Sequence, residues 1–558
     1  MAAGVTVPLI WLSRHEGIDA IGPWDTGILQ HMFNGTLWPH AIEFESTWSN
    51  SREIDEKYRD RVAVVVLPSR HHYDDTEWVT EQIAKLKGVL IILSSDEGHG
   101  FPWRGIRHEN IKFWVQSPDP SNYSDARWAF MFGYGWRSEF PILAAQHARP
   151  SHDRKLDWFF SGQVTNDTRR RAMPGLRTAR GITNGVLNET DGFAKGLSVF
   201  EYVDRLSQSW FVPCPGGPSD IDSFRLYEAL ECGCIPLVDF DMPDGSQRGY
   251  WEFVYGKNPL YKIQGWGGIG ELINDAMSNR VEASARVSAW WQQTKRGIVK
   301  QLENDLQTLG VEIEPWAKTT VLITCSPIAS HPSMEILMET LGSLPRRNME
   351  IILALDGVRP EQQGMADNYY EFAHRVAQYC EHFLWPAIPF IAPVWLHQMR
   401  LTEMALNMAT TPTVLFMEHD TPLLDDRFID WDGIVELVEN DHLDVIRFHH
   451  EELILPVHDY MMVDRETKTM LGVPIRRTRQ WSQRPAVYNT DYFKRILFEY
   501  FTPGAKCFIE DRMHSFAQSK RGHRLAIYHP DDDRSGIRRS GHTDGRAGGP
   551  KYDDSQVF

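Results

Sequence analysis

Three things are scarce in this chain of 558 residues: cysteine, uninterrupted apolar sequence and positive charge. The six cysteines, Cys214, Cys232, Cys234, Cys325, Cys380 and Cys507, are scattered, with no C-x-x-C pair and no zinc-ligand spacing. That excludes a disulfide scaffold and a structural zinc module, and it suits reduced thiols in a cytoplasm-like compartment. No run of about 18 apolar residues occurs, so no membrane-spanning helix is expected. Met1–Pro8 lacks a basic start and a long apolar stretch, so no signal peptide is expected either. Lys and Arg number 58 against 75 acidic residues, a net charge of −17. This balance argues against nucleic acid or an anionic membrane as partner. A phosphate-bearing substrate must therefore meet a local basic site or a metal.

The chain is too long for one core, and two to four domains are expected. Twenty Trp and 18 Tyr are many. Such rings form sugar-stacking platforms, though more often they only pack. The most organised stretch is Ser209–Phe240, SWFVPCPGGPSDIDSFRLYEALECGCIPLVDF. It reads as strand, glycine-rich turn, helix, turn, strand. Pro213–Pro218 is expected to be loop. Asp222 or Ser223 is a good helix N-cap, and Gly233 a good helix stop. A loop that delivers a helix N-terminus at a strand's carboxyl edge favours an anion through its free N–H groups and the helix dipole. Arg225 and Glu228, three apart, share one side of that helix. The Arg fork suits a diphosphate and the Glu suits two ribose hydroxyls. The plainer alternative is an α/β crossover carrying a surface ion pair.

Upstream, Pro8–Leu12, Val62–Leu67, Val89–Leu93 and Ile111–Val115 are apolar runs of the kind buried parallel strands show, with a helix over Thr76–Leu86. Ligands of doubly wound sheets sit beyond the carboxyl ends of the strands. The loops there, Ser13–Gly17 and Ser94–Gly100, offer His15, Glu16, Asp96, Glu97 and His99 as candidate general bases, with His15 and Glu97 preferred. Otherwise these residues merely solvate loops. Trp158–Gly162 opens the next sheet, ending on Ser161 and Gly162, and Thr168–Ala172 starts a helix bearing Arg169, Arg170 and Arg171.

The pattern S-x-F-x-x-x-P-G-G…D-S-x-R-L-x-E-A-L-x-x-G-C-I-P-L-V resembles the nucleotide-sugar half of exostosin-like glycosyltransferases, which have the GT-B fold. The resemblance covers roughly residues 155–265. It implies inverting transfer of a sugar from a nucleotide donor, with no metal expected in this module. Arg225 and Glu228 match that family's donor-contact positions. Ser161, Gly162, Ser223 and one arginine, Arg169, are the accompanying donor-site candidates.

After a linker at Leu309–Lys318, a strand-first α/β pattern restarts, which argues for a separate domain. Thr320–Thr324, Met349–Ala354 and Thr413–Met417 read as buried strands, the last followed at once by Glu418-His419-Asp420. Alternate side chains at a strand end point the same way, so Glu418 and Asp420 can face one cation. Hard oxygen ligands select Mg²⁺ or Mn²⁺, which keep waters and bridge substrate phosphates. The order of parts resembles a GT-A glycosyltransferase of the family-two type. That resemblance places Thr324 and Ser326 at the base, Asp356 at the nucleoside, and His419 among the donor contacts. Here the motif is EHD rather than DxD. Phe508-Ile509-Glu510-Asp511 resembles the catalytic-base position of inverting GT-A enzymes, with Asp511 as the base and Glu510 as the alternative. Without that role, both are helix N-terminal charges that suit the dipole. GT-A folds often close the site with a late loop supplying a metal-binding His, and His542 in Ser540-Gly541-His542-Thr543 takes that place.

The expected fold class is therefore α/β: a GT-B module of two Rossmann-like domains, residues 1–150 and 151–312, followed by a GT-A domain, residues 313–558. The expected function is a bifunctional glycosyltransferase, inverting at both sites. Its partners are nucleotide sugars, UDP-sugars first, and a glycan or protein acceptor. Alternatives are a single active site with the other module holding acceptor, or a non-catalytic carbohydrate-binding scaffold.

Overall fold

The computed structural model describes residues 5–13, 27–68, 76–94, 103–123, 129–136, 139–192, 195–218, 220–325, 333–345, 347–382, 384, 386–424, 429–449, 454, 456–519, 522–529 and 540. The chain divides into two compact units, Met1–Glu314 and Pro315–Phe558.

The first unit holds two parallel sheets. One is built from β1 (Val5–Leu12), β2 (Ile42–Ser51), β3 (Val62–Pro68), β4 (Gly88–Ser94), β5 (Ile111–Gln116) and β6 (Phe130–Phe132), in the spatial order β2-β1-β3-β4-β5-β6. Val64–Val66 and Val89–Ile92 are wholly buried. Both faces of a parallel sheet are covered, so its strands are apolar throughout rather than alternating. The other sheet comprises β7 (Leu156–Gln163), β8 (Gly185–Thr190), β9 (Ser209–Cys214), β10 (Ile235–Asp239) and β11 (Tyr261–Ile263), in the order β11-β10-β9-β7-β8.

The Ser209–Phe240 stretch folds as strand, helix (Phe224–Glu231) and strand. Gly233 follows the helix at φ 64°, a left-handed turn that glycine adopts without a Cβ penalty. The strand runs further than the prolines suggest. Pro213 pairs with Leu237 of β10, whereas pairing with β7 stops at Trp158–Phe211. Beyond Phe211, β7 and β9 part, and Pro213 interrupts no ladder to β7.

The second unit is one nine-stranded mixed sheet. Its strands are β12 (Thr319–Cys325), β13 (Met349–Leu355), β14 (Ala387–Ile391), β15 (Thr413–Glu418), β16 (Val445–Phe448), β17 (Lys468–Met470), β18 (Val473–Thr478), β19 (Ala486–Asn489) and β20 (Leu525–Tyr528). The order is β14-β13-β12-β15-β19-β16-β20-β18-β17, with β12 to β15 mutually parallel and β19 turning antiparallel against β15. Leu322, Ile352, Val414 and Phe416 pack with Met399 and Leu401 of the His397–Leu406 helix into one core. Among the described residues, no helix is long and apolar enough to cross a membrane.

Candidate functional site

Strand order locates a crevice in each unit. In a doubly wound sheet, strands leave in opposite directions at the point where the order reverses, and ligands bind there, beyond the carboxyl ends. In the second sheet of the first unit the reversal lies between β7 and β9. In the second unit it lies between β12 and β15.

At the β7–β9 crevice stands Arg225, the second residue of the Phe224–Glu231 helix. Its guanidinium lies 4.5 Å over the Phe160 ring, and Nη2 donates to Ser161 O at 2.8 Å. Nε and Nη1 are buried without a hydrogen-bond partner. Arg169 enters from the Asp167–Ala179 helix, capped by Asn166, whose Oδ1 accepts from Arg169 N. Its Nη1 donates to Gln163 O at 3.2 Å, and its Nε is buried without a partner. Burial first, and the charge of Arg225 second, lower the Arg169 pKa to about 9. A buried cation with unsatisfied donors is costly unless something anionic meets it. Buried Arg225 and half-buried Arg169, repelling each other near the starts of two helices, form an arrangement that suits an anion. Arg170 and Arg171 are exposed, and Arg170 pairs with Asp167. Only Arg169 of the three faces inward.

The remaining candidates in this unit fall around Arg225. Gly162 supplies space: a Cβ there would collide with Arg225 Nη2. Ser161 contributes its carbonyl oxygen to Arg225. Glu228 is buried, and its Oε2 accepts from Tyr202 OH at 2.8 Å. Ser223 holds the N-cap position with no side-chain cap bond. Asp222 does not cap the helix either. Its Oδ2 accepts from Tyr227 OH (2.8 Å) and Tyr250 OH (2.9 Å), and from Tyr134 N. Beside it, Asp220 Oδ2 accepts from Tyr134 OH and Ser117 Oγ. The sequence offered Asp222 only as a helix cap and gave no sign of Asp220 or of the burial of both acids among tyrosines. Burial, reinforced by the neighbouring Asp222, pushes Asp220 up to about 7, and burial pushes Asp222 up to about 6.

At the β12–β15 crevice, Thr324, Asp356, Arg359, Trp395, His397, Gln398, Glu418, His419, Asp420 and Phe508 enclose a cavity of about 50 Å³. Glu418 and Asp420 line the same space. His419 N donates to Thr324 O, tying the acid turn to the end of β12. Glu418 Oε1 accepts from Gln398 Nε2 at 2.7 Å, and Gln398 Oε1 accepts from Ile509 N, so one amide joins the acid to the start of the Ile509–Ser519 helix. Two carboxylates on one cavity suit Mg²⁺ or Mn²⁺, whose remaining positions go to water and phosphate. Among the described residues, no group of three or more His, Cys, Asp and Glu has the arrangement to hold a metal. Asp356 serves the loop: Oδ1 accepts from Leu396 N and Gly357 N, and Oδ2 from His397 N. Burial raises its pKa against these N–H donors.

Glu510 and Asp511 stand on the first turn of the Ile509–Ser519 helix but do not line this cavity. Asp511 is exposed. Glu510 is half-buried, and Oε2 accepts from Gln483 N at 3.2 Å. Its charge favours the guanidinium of buried Arg447, which burial nevertheless lowers to about 10. His15, Glu16, Asp96, Glu97, His99, Ser326 and His542 lie outside the described residues. Ser540, two before His542, is buried and bridges Leu423, three after Asp420. Arg359, Trp395 and Arg447 were not signalled by the sequence, because isolated polar or aromatic residues in loops and strands carry no spacing pattern.

No protein-family model matches the chain, and no curated protein matches it. Among solved structures it is similar to residues 1–349 of S. aureus TarS, at 15% identity and a TM-score of 0.26 over 38% of this chain and 58% of that one. The same TarS residues in complex with UDP-GlcNAc give the same identity and score, over 56% of that chain. The mannosyltransferase PcManGT from Pyrobaculum calidifontis, in complex with GDP-Man and Mn²⁺, gives 12% identity and a TM-score of 0.24, over 47% of this chain and 66% of that one. The likeness is partial: this chain spans less than two thirds of the length of each of these solved chains.

Proposed function

We propose that this chain is a nucleotide-sugar-dependent glycosyltransferase with two donor sites, one in a GT-B-like module of residues 1–312 and one in a GT-A-like domain of residues 313–558. The observation that carries the reading is that each topological switch point bears groups suited to a diphosphate: arginines with buried, unpartnered nitrogens at β7–β9, and paired acids at β12–β15.

In the first module, Arg225 and Arg169 take the diphosphate oxygens, with the helix N-terminus beside them and Glu228 toward the ribose. In the second, Glu418 and Asp420, with His542 as a further candidate, would hold Mn²⁺ or Mg²⁺, which when bound supplies charge neutralisation for the departing diphosphate. Thr324 would meet the base, with Ser326 as a further candidate, Asp356 setting the loop and His419 holding the acid turn to β12. At each site a carboxylate or imidazole takes the proton of an acceptor hydroxyl as that oxygen attacks the anomeric carbon. The new C–O bond forms while the bond from that carbon to the diphosphate oxygen breaks, inverting the centre. The candidate bases are Asp511 or Glu510 in the second module, beside the cavity on the helix that Gln398 ties to Glu418, and Glu97 or His15 in the first.

The test is sugar transfer and donor hydrolysis, with UDP- and GDP-sugars, by Arg225→Ala and Asp420→Asn. Each is expected to cost at least about 100-fold in a different transfer, the scale of losing one charged contact in a transition state. Loss by only one variant reduces the chain to a single active site. No change in either removes the reading.

A further inference from the structure

His397 opens the His397–Leu406 helix with φ 63°. In this left-handed region an L-residue brings its Cβ against the backbone, and glycine is the ordinary occupant. The neighbouring contacts explain the conformation. Asp356 accepts from Leu396 N at 2.7 Å and from His397 N at 3.0 Å, which clamps both peptides to one carboxylate. Gly357 lies against the backbone of Val394 and Trp395 so closely that a Cβ would collide with it. The clamp therefore dictates the backbone, but nothing in it calls for an imidazole.

The ring itself is held. Nδ1 lies 2.9 Å from Gln398 N, and since that N–H donates, Nδ1 is the acceptor and the proton sits on Nε2. Phe508 packs edge-on at 4.7 Å, and Trp395 lies at 5.7 Å. Among the described residues the only hydrogen bond of the ring is the one at Nδ1, and His397 lines a cavity with Glu418 and Asp420. Two further donors there are unsatisfied: Arg359 Nε and Trp395 Nε1 are buried without partners.

We propose that His397 is a donor-binding residue of the second unit, whose Nε2–H bonds a diphosphate oxygen of the nucleotide sugar, and that this contact is why a strained position carries histidine instead of glycine. The inference rests on the nucleotide-sugar reading of this cavity. It also makes an unusual demand: the substitution that suits the backbone best must harm binding.

The experiment is UDP binding by calorimetry, with and without Mn²⁺, together with thermal unfolding, on the full chain and its variants His397→Gly and His397→Asn. His397→Gly is expected to raise the unfolding midpoint of the second unit by about 2–4 °C, through relief at positive φ. The same variant is expected to weaken the Mn²⁺-dependent UDP component by about 10- to 100-fold, the range for a hydrogen bond to a charged group. His397→Asn tolerates the left-handed conformation and keeps an N–H, so part of the affinity returns. Uridine, which lacks phosphate, binds the wild type and His397→Gly alike. If His397→Gly binds UDP as the wild type does, the histidine is only a left-handed spacer and the proposal falls while the nucleotide reading stands. Equal losses for uridine and UDP overturn the phosphate contact. A wild type that takes up no UDP with Mn²⁺ overturns both.

Discussion

Asp220 and Asp222 are buried side by side, and neither has a cation for partner among the described contacts. Their oxygens accept from Ser117, Tyr134, Tyr227 and Tyr250, which are weaker compensation than an ion pair. Burial therefore dominates, and both folded-state values, about 7 and about 6, lie above the ordinary aspartate range near 3.9. The sign follows from linkage. The folded state binds the proton more readily than the unfolded chain, so this contribution is fully present below about pH 4 and is lost as pH rises through about 7. We expect the unfolding midpoint of the first unit to fall between pH 5 and pH 8, with Asp220 contributing at most about 1.4 kcal/mol per pH unit per proton. Asp220→Asn keeps a carbonyl for Tyr134 and Ser117 and needs no proton. It is expected to be near neutral at pH 5, stabilising at pH 8, and to flatten the slope. An unchanged slope in Asp220→Asn assigns the effect elsewhere. From the sequence, Asp222 reads as a helix cap, because a short acid before a helix looks alike whether it turns to the N–H groups or away to buried phenols.

The strands of the parallel sheets were legible at the element scale because burial on both faces leaves an uninterrupted apolar run, as in Val62–Leu67 and Val89–Leu93. The second unit's outer strands were not. Lys468–Met470 and Val473–Thr478 are short, polar and antiparallel, so they lack any such run. Facing was also hidden: Glu510 and Asp511 start a helix as expected, yet only the packed helix reveals that Asp511 is exposed. Positive φ at His397 leaves no trace in composition either. Two glycines show what element packing requires. Gly162 lets the Phe224–Glu231 helix bring Arg225 against the end of β7, and Gly175 lets the Asp167–Ala179 helix touch the backbone at Trp266. Gly162→Ala meets only the far end of a long side chain, so Arg225 shifts: anion binding at β7–β9 weakens about tenfold or more, with a stability loss under about 1 kcal/mol. Gly175→Ala meets main chain, so a loss of about 1–3 kcal/mol is expected. Chemical unfolding and UDP titration of the two variants separate these outcomes. The assignment of Gly162 fails if its variant binds UDP normally.

At the scale of the whole molecule, two compact units each carry their own crevice, and they differ in how they meet negative charge. The chain is strongly acidic overall, so an incoming diphosphate is repelled at long range and held only where a local cation waits. On the proposed reading, that cation in the first unit is part of the protein, as Arg225 and Arg169, and in the second it would be a metal held by the two acids. Ligand binding stabilises only the unit that binds, by about 2.7 kcal/mol at a hundredfold excess over the dissociation constant. For units of this size that is a shift of roughly 4–5 °C. Differential scanning calorimetry should therefore resolve two transitions. UDP alone is expected to raise the first unit's transition, and Mn²⁺ must be added before UDP raises the second. Arg225→Ala removes the metal-independent shift and leaves the other, and Asp420→Asn does the reverse. Cross-loss, in which either variant abolishes both shifts, means that one binding event underlies both. A metal-independent shift that survives Arg225→Ala places the anion away from the β7–β9 switch point.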